Sequence, residues 1–408
     1  MPRTDSAAPR IGLALAGGVI EGGFYEVGVL CALQDAIEGL DLNGLQMYVG
    51  VSSGAVIGAM LANGIPPHTL SRAILSQADP ILNLDPDILF TPAVREYVRR
   101  ARQLPGLLRR WVQRRIDHPL DLSIVAPLVE LSALAPVGLF DSGPMERYLA
   151  RVFSTGGRSN DFRRLGRELR IIAVRLDTAE LVSFGDEATA HVPISRAVQA
   201  SLALPGLYCP VEIDGQHYID GVARRTLNAS AALDEGLDLL LCVNPIVPVD
   251  MASSGGEAAP RRGRSLVEHG LPSVLSQTFR TMVHSRMGTG FRSYEHTHPD
   301  TDVLLIEPEP TDHRMFFSNI FSFSNRREVC EHAYRATLRY LREHAQPLQE
   351  KLSRRGLSLR MDVLADERRS LFPPLPARRK HAGGVVGEIQ DAVDRLNAAL
   401  DRLSAPAA

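Results

Sequence analysis

Cysteine is scarce. Cys31, Cys209, Cys242 and Cys330 are far apart in 408 residues and form no C-x-x-C pair, so there is no disulfide framework to read. Three of them sit in apolar sequence and read as buried thiols, as suits a reducing compartment. The chain also lacks any run of about eighteen consecutive apolar residues, so no membrane-spanning helix is expected. The apolar stretch from Ile11 to Ile20 has no cleavage site behind a basic leader, and no signal peptide is expected. A formal charge of −2 gives no general attraction to polyanions, and no nucleic-acid partner is expected. The expected location is cytoplasmic, with any membrane contact peripheral and at the inner face.

What is present is a chain of 45% hydrophobic content, enough for a large core in one enlarged domain or two. The run from Ile11 to Ala16 reads as a buried parallel strand, followed by a glycine loop, Gly17-Gly18-Val19-Ile20-Glu21-Gly22-Gly23. Phe24, Val27, Leu30, Leu33 and Ile37 then recur at helical spacing, with Gly39 as a stop. A second strand, Gln46 to Val51, runs into a serine turn and a small-residue helix ending near Gly64. Strand, loop, helix, strand, turn, helix is the start of an α/β layered fold with parallel strands.

From about 80 to 168 the alternation breaks into a helical, proline-punctuated insertion. Between Arg95 and Arg115 eight arginines face one acid, Glu96. Two readings stand. One is an interfacial helix pair on anionic lipid, with Arg99, Arg102, Arg109 and Arg110 at the headgroups and Trp111 as anchor. The other is an ordinary amphipathic helix with a solvated arginine face.

Core rhythm resumes at Leu169 to Leu176, with Leu181 to Phe184 as a hairpin partner, and a helix follows from about Pro193 to Leu204. Asp214-Gly215 is a tight-turn pair between Val211-Glu212-Ile213 and a strand that delivers Asp220 to its end. Leu239 to Val243 is a further buried strand. Domain limits are read as a polar tail at 1–10, a catalytic domain at 11–245 and an α/β extension at 246–371. The last segment, 372–408, is a linker with a heptad-patterned helix that either pairs with its twin or docks on its own body. The extension carries a helix from Leu271 to about Arg286, a strand from Asp302 to Ile306, and helices from about Arg327 to Arg354.

Chemistry concentrates at Gly50-Val51-Ser52-Ser53-Gly54, a nucleophile-elbow pattern on a strand-to-helix turn. Alone it is weak, since G-x-S-x-G arises by chance in roughly one chain in five of this composition. The glycine loop lacks the spacing of a phosphate loop; the amides of Gly17, Gly18 and Val19 suit an oxyanion hole better. For a base, His284, His296, His298 and His313 have no convincing setting, and His217 is a strand residue. Asp220 ends an apolar strand ahead of Gly221, where a partly desolvated carboxylate can take a serine proton; the alternative is an aspartate that caps the following turn.

Three ordered blocks carry a resemblance to the patatin-like phospholipases: residues 13–30, beginning Leu-Ala-Leu-Ala-Gly-Gly; Gly50 to Gly54; and Ala200-Ser201-Leu202-Ala203-Leu204-Pro205-Gly206 followed by Tyr218-Ile219-Asp220-Gly221. The likeness covers roughly residues 11–240. It implies a three-layer α/β core with a mainly parallel sheet, a helical insertion and a helical C-terminal extension. It further implies Ser52 as nucleophile, Asp220 as base, an oxyanion loop at 17–19, and an acyl-serine intermediate on a phospholipid or other acyl-ester lipid, with no metal or cofactor. Val19 stands where many members have glycine, Glu21 where many have Arg or Lys, and Val222 where many have Gly or Ala. Val19 and Glu21 leave a lipid-binding or scaffold protein with a weakened site as one rival reading; a general Ser-His-Asp esterase is another.

Overall fold

In the chain's first strand, β1 (Ile11–Leu15), every residue is buried, which requires a central strand covered on both faces. It lies between two parallel neighbours, β2 (Met47–Val51) and the later strand Leu239–Val243. The computed structural model that shows this describes residues 9–75, 81–117, 134–250, 266–312 and 325–372.

Among the described residues the main sheet has eight strands: β1, β2, β3 (Glu168–Arg175), β4 (Leu181–Phe184), β5 (Val211–Ile213), β6 (Gln216–Asp220), β7 (Leu239–Val243) and β8 (Asp302–Ile306). β8, β7, β1, β2 and β3 run parallel in that order; β4 and β6 pair antiparallel with β3, and β5 with β6. The β5–β6 turn is made by Asp214 and Gly215, both at positive φ (+50° and +72°), as a two-residue hairpin requires.

One register detail positions the site. Val51, the last residue of β2, pairs with Ile172 of β3, and the next residue of β3, Ala173, pairs with Asp220. The opposite edge at those positions is taken by β4, so β2 and β6 share a single edge of β3 and meet end to end. Strand pairing alone therefore brings Asp220 beside the residue that follows Val51.

Helices cover both faces. On one side lie α1 (Val19–Ala36) and α2 (Ser53–Ala62), whose Gly58 faces Leu15, Tyr48 and Leu169. On the other face Ala14, Val49, Val51, Leu240 and Cys242 form a core with residues 227–237 and with Val283 and Met287 of a later helix. The insertion contributes α3 (Val94–Ala101), α4 (Leu104–Asp117) and α5 (Gly143–Phe153), and a short strand, 138–140, that pairs with 206–208. Beyond β3 come α6 (Ile194–Ser201), α7 (Leu271–Thr297) and α8 (Arg326–Glu343). A Cβ on Gly28 of α1 would lie 2.2 Å from the Cys330 carbonyl oxygen of α8, so glycine sets that close helix approach. Cys31, Cys242 and Cys330 are buried free thiols.

Met1–Arg369 form one compact unit and Ser370–Ala408 a second. The segment read as a C-terminal extension thus adds strand β8 and helices α7 and α8 to the first unit. The heptad-patterned helix and the dimer drawn from it lie outside the described residues. Helix α1 begins five residues earlier than the periodicity suggests, because Gly22 and Gly23 are helical.

Candidate active site

The carboxyl ends of β1, β2 and β6 converge, as is usual for a ligand site on a parallel sheet. Ser52 has φ +52° and ψ −120°, a conformation that side chains other than glycine rarely adopt, and it survives because its neighbours leave no alternative. A Cβ on Gly50 would lie 2.5 Å from both Ala55 Cα and the Gly54 carbonyl oxygen, and one on Gly54 would lie 2.5 Å from the Leu15 carbonyl oxygen. Only glycine lets strand and helix pass this closely. The Ser52 amide donates to Ser201 Oγ at 2.8 Å, and that hydroxyl donates to the Ile172 carbonyl at 2.6 Å.

Asp220 is 1% exposed and Ser52 is 5% exposed. The Asp220 amide donates to Ala203 O at 3.0 Å, and Val222 N donates to Asp220 Oδ1 at 2.9 Å. Oδ2 is buried and accepts no fully formed hydrogen bond. Burial pushes the carboxyl up to about 7, against the opposing pull of the neighbouring Ser52 hydroxyl and the Val222 amide. Catalytic hydrogen bonds are often long before substrate binds. Gly221 must be glycine, since a Cβ there would lie 2.5 Å from Ile172 O.

The glycine loop lies against the serine. A Cβ on Gly17 would lie 2.9 Å from Ser52 Cβ, and one on Gly18 would lie 2.4 Å from Pro245 Cγ. Val19 has φ +56°, a strained setting for a β-branched residue. Of the three amides expected to face an oxyanion, that of Gly17 donates to Thr226 O at 3.2 Å. That amide is thus engaged within the fold. The Gly18 and Val19 amides remain, at a helix start where the first N–H groups have no partner within the helix.

Ser52 opens into a cleft of about 780 Å³, counted to its mouth, whose walls include Ile20, Phe24, Val56, Leu89, Met145 and Tyr208. Among the described residues, neither a charged side chain nor a histidine lines it. Among the weighed histidines, His217 is exposed on β6, His298 pairs with Asp234 at 3.2 Å, and His284 and His296 sit on α7. His313 lies outside the described residues.

Three side chains that bear on this site were not singled out in the sequence. Ser201 holds the elbow amide. Glu26 is fully buried beside Ser53, with neither carboxylate oxygen in a formed hydrogen bond, and burial raises its pKa well above the usual carboxylate range. An acid within the apolar rhythm of α1 is the signal that marks it. Arg280 of α7, buried itself, lies near Glu21 and opposes the burial that lifts Glu21 to about 7. At position 21 the chain thus has an acid with a cation, Arg280, supplied from α7.

The basic stretch sits apart, on α3 and α4. Arg99 and Arg100 both pair with Glu96, while Arg102, Arg109 and Arg110 are exposed. Trp111 is 46% exposed and Ile116 71%, with Leu104, Leu108 and Val112 exposed as well.

The patatin-like phospholipase model matches residues 13–233, which span the loop, the elbow and Asp220. An uncharacterised protein of Acanthamoeba polyphaga mimivirus is 24% identical over 241 residues, 58% of this chain and 66% of that protein. An uncharacterised NTE family protein of Mycobacterium tuberculosis is 24% identical over 281 residues, 69% of this chain and 57% of that protein. The chain thus spans 57% to 66% of the length of these curated relatives. The crystal structure of VipD from Legionella pneumophila is similar at 17% identity and a TM-score of 0.32, over 80% of this chain and 67% of VipD, a likeness too slight to argue from. With more than half of its length matched by the family model, the chain belongs to the patatin-like phospholipases, a family of lipid acyl hydrolases.

Proposed function

We propose that this chain cleaves acyl esters of phospholipids through a Ser52–Asp220 dyad. The observation that carries the reading is the meeting of Ser52 and Asp220 along one edge of β3, with Ser52 opening into a cleft that has no charged side chain among its described lining residues. Such a cleft takes an acyl chain and leaves the headgroup outside.

In the first step Asp220 takes the Ser52 proton as Oγ bonds to the ester carbonyl carbon. The amides of Gly18 and Val19 hold the oxyanion that forms. The tetrahedral intermediate collapses, the bond to the alcohol oxygen breaks, and Asp220 returns the proton to that oxygen. Water then attacks the acyl-serine with Asp220 again as base, and the released acid leaves Ser52 protonated. A carboxyl near 7 is well matched to this exchange at neutral pH.

Contact with an anionic bilayer, peripheral and at the inner face of the membrane, is part of the same proposal. The exposed apolar and arginine side chains of α3 and α4 support it. No helix among the described residues is long and apolar enough to cross a membrane.

A serine-reactive fluorophosphonate tests the dyad. It should label the wild-type chain and not Ser52→Ala; unchanged ester hydrolysis by Ser52→Ala would overturn the proposal. Lipid binding by wild type with no acyl-enzyme would favour a binding protein built on a weakened site.

A further inference from the structure

Val222 joins the dyad to a second cleft. Its amide holds Asp220 Oδ1, and its side chain lies in the wall of a cleft of about 930 Å³, counted to the mouth, between the 221–227 turn and α7. Three arginines line that cleft: Arg224 and Arg225 from the turn and Arg286 from the helix. Their anchors are all neutral. Arg224 Nη1 donates to Ala179 O, Arg225 Nη1 to Asn228 Oδ1 and Ser230 Oγ, and Arg286 Nη1 to Ala223 O at 3.3 Å. Among the described residues, neither Asp nor Glu lines it.

A neighbouring comparison shows what is unusual. The cleft beside α3 also has three arginines, Arg95, Arg99 and Arg147, but Glu96, Asp141 and Glu212 line it with them. There the charges cancel; beside Val222 they do not. The anchors hold the three guanidiniums around one space while several N–H groups on each remain for a ligand. The floor is different in kind. Val222, Leu227, Val283 and Met287 are buried members of the main core, and Phe291 packs against them.

A ring of cations over an apolar floor selects an anionic head with a short length of hydrocarbon. Guanidinium forks match phosphate oxygens in pairs, and the near-double charge of a phosphate monoester suits three cations better than a single carboxylate does. We propose that this cleft is a binding site for a phosphate-bearing amphiphile, distinct from the site of ester cleavage. Its occupant ties the turn that carries the Val222 amide to α7, and so steadies the hydrogen bond that Asp220 Oδ1 accepts.

The test uses the full chain carrying Ser52→Ala, so that no ligand is consumed and the result does not depend on turnover. Calorimetric titrations are run with dioctanoyl phosphatidic acid below its micelle concentration, with inorganic phosphate and with dioctanoylglycerol. Phosphatidic acid is expected to bind tightest. Adding Arg224→Gln and Arg286→Gln should weaken it roughly a hundredfold, about tenfold per guanidinium, and leave dioctanoylglycerol binding unchanged. Both arginines are exposed, so thermal melting should confirm that the variant is folded. Hydrogen exchange at residues 222–227 and 283–291 should slow with phosphatidic acid in the parent and not in the variant. Equal affinity in parent and variant would overturn the proposal. So would inorganic phosphate binding as tightly as the lipid, since the apolar floor would then contribute nothing, or protection confined to the residues around Ser52.

Discussion

The strand ends around Ser52 and the helix pair α3–α4 bear opposite kinds of cost. At the strand ends the backbone is strained and the side chains are enclosed: Ser52 and Val19 sit at φ +52° and +56°, and Asp220 is buried with one oxygen unsatisfied. In α3 and α4 the backbone is regular helix, and the side chains are out of place, with apolar groups facing solvent. Strain of the first kind persists only where surrounding contacts over-determine it, which is what Gly50, Gly54 and Gly221 make possible. Exposure of the second kind contributes nothing to the fold. Substitutions should therefore act on chemistry and stability in the first region, whereas replacing the exposed side chains of the second should act on surface behaviour alone.

The largest separation is expected from Asp220→Asn. Turnover of a short-chain ester should fall by roughly 10⁴-fold, while the urea midpoint at pH 8 stays level or rises because no carboxylate is then buried. Retained turnover would break the comparison at its centre. Two glycine substitutions sharpen it next. Gly54→Ala should destabilise by about 3 kcal/mol, through collision with Leu15 O. Gly106→Ala on α4, with no atom within 4 Å of the new methyl, should stabilise by up to about 1 kcal/mol. Denaturant melts of the pair read the difference directly.

The pH dependence also belongs to the first region. Asp220 and Glu21 rise to about 7 from 3.8 and 4.5, so the folded chain keeps protons that the unfolded chain has lost. Their carboxyl forms fit the fold below about pH 4, and stability should decline as pH climbs from there toward 7. Activity should move the other way, with kcat/KM rising to a midpoint near pH 7 as Asp220 loses its proton. The same midpoint in Glu21→Gln would assign it to Asp220. In the second region, Arg109→Gln, Arg110→Gln and Trp111→Ala together should lower flotation with anionic vesicles by roughly fivefold per arginine, with stability held within about 0.5 kcal/mol. Flotation equal to wild type would leave the arginine face as a solvated one. The smallest effect is expected from Val19→Gly, about 1 kcal/mol of relief in urea with turnover retained.

Much of this was legible in the residues. The buried runs of β1, β2 and β7 and the Asp214-Gly215 turn carry strong local patterns, and each forms where its pattern places it. A β-branched residue at position 19 is visible in the sequence, but its positive φ is set by the fold. Other features depend on packing that no local pattern encodes. Gly22 and Gly23 read as loop, yet they are helical: a Cβ on Gly22 would lie 3.0 Å from Pro245, and one on Gly23 would lie 3.5 Å from Ser53. The Gly17 amide is taken by Thr226, more than two hundred residues on, and Arg280 reaches Glu21 from α7. α7 itself continues to Thr297, past the Arg286 at which its periodicity fades.

The shared edge of β3 has a consequence for how such a protein can vary. Because Ser52 and Asp220 are both placed by pairing with neighbouring residues of one strand, the distance between them is independent of the chain that connects them. Insertions before β3 or between β3 and β6, such as the arginine-rich helices, can therefore lengthen or shrink without altering the spacing of the two groups. The chemistry is inherited through a ladder of backbone hydrogen bonds, and the decoration around it is free to diversify.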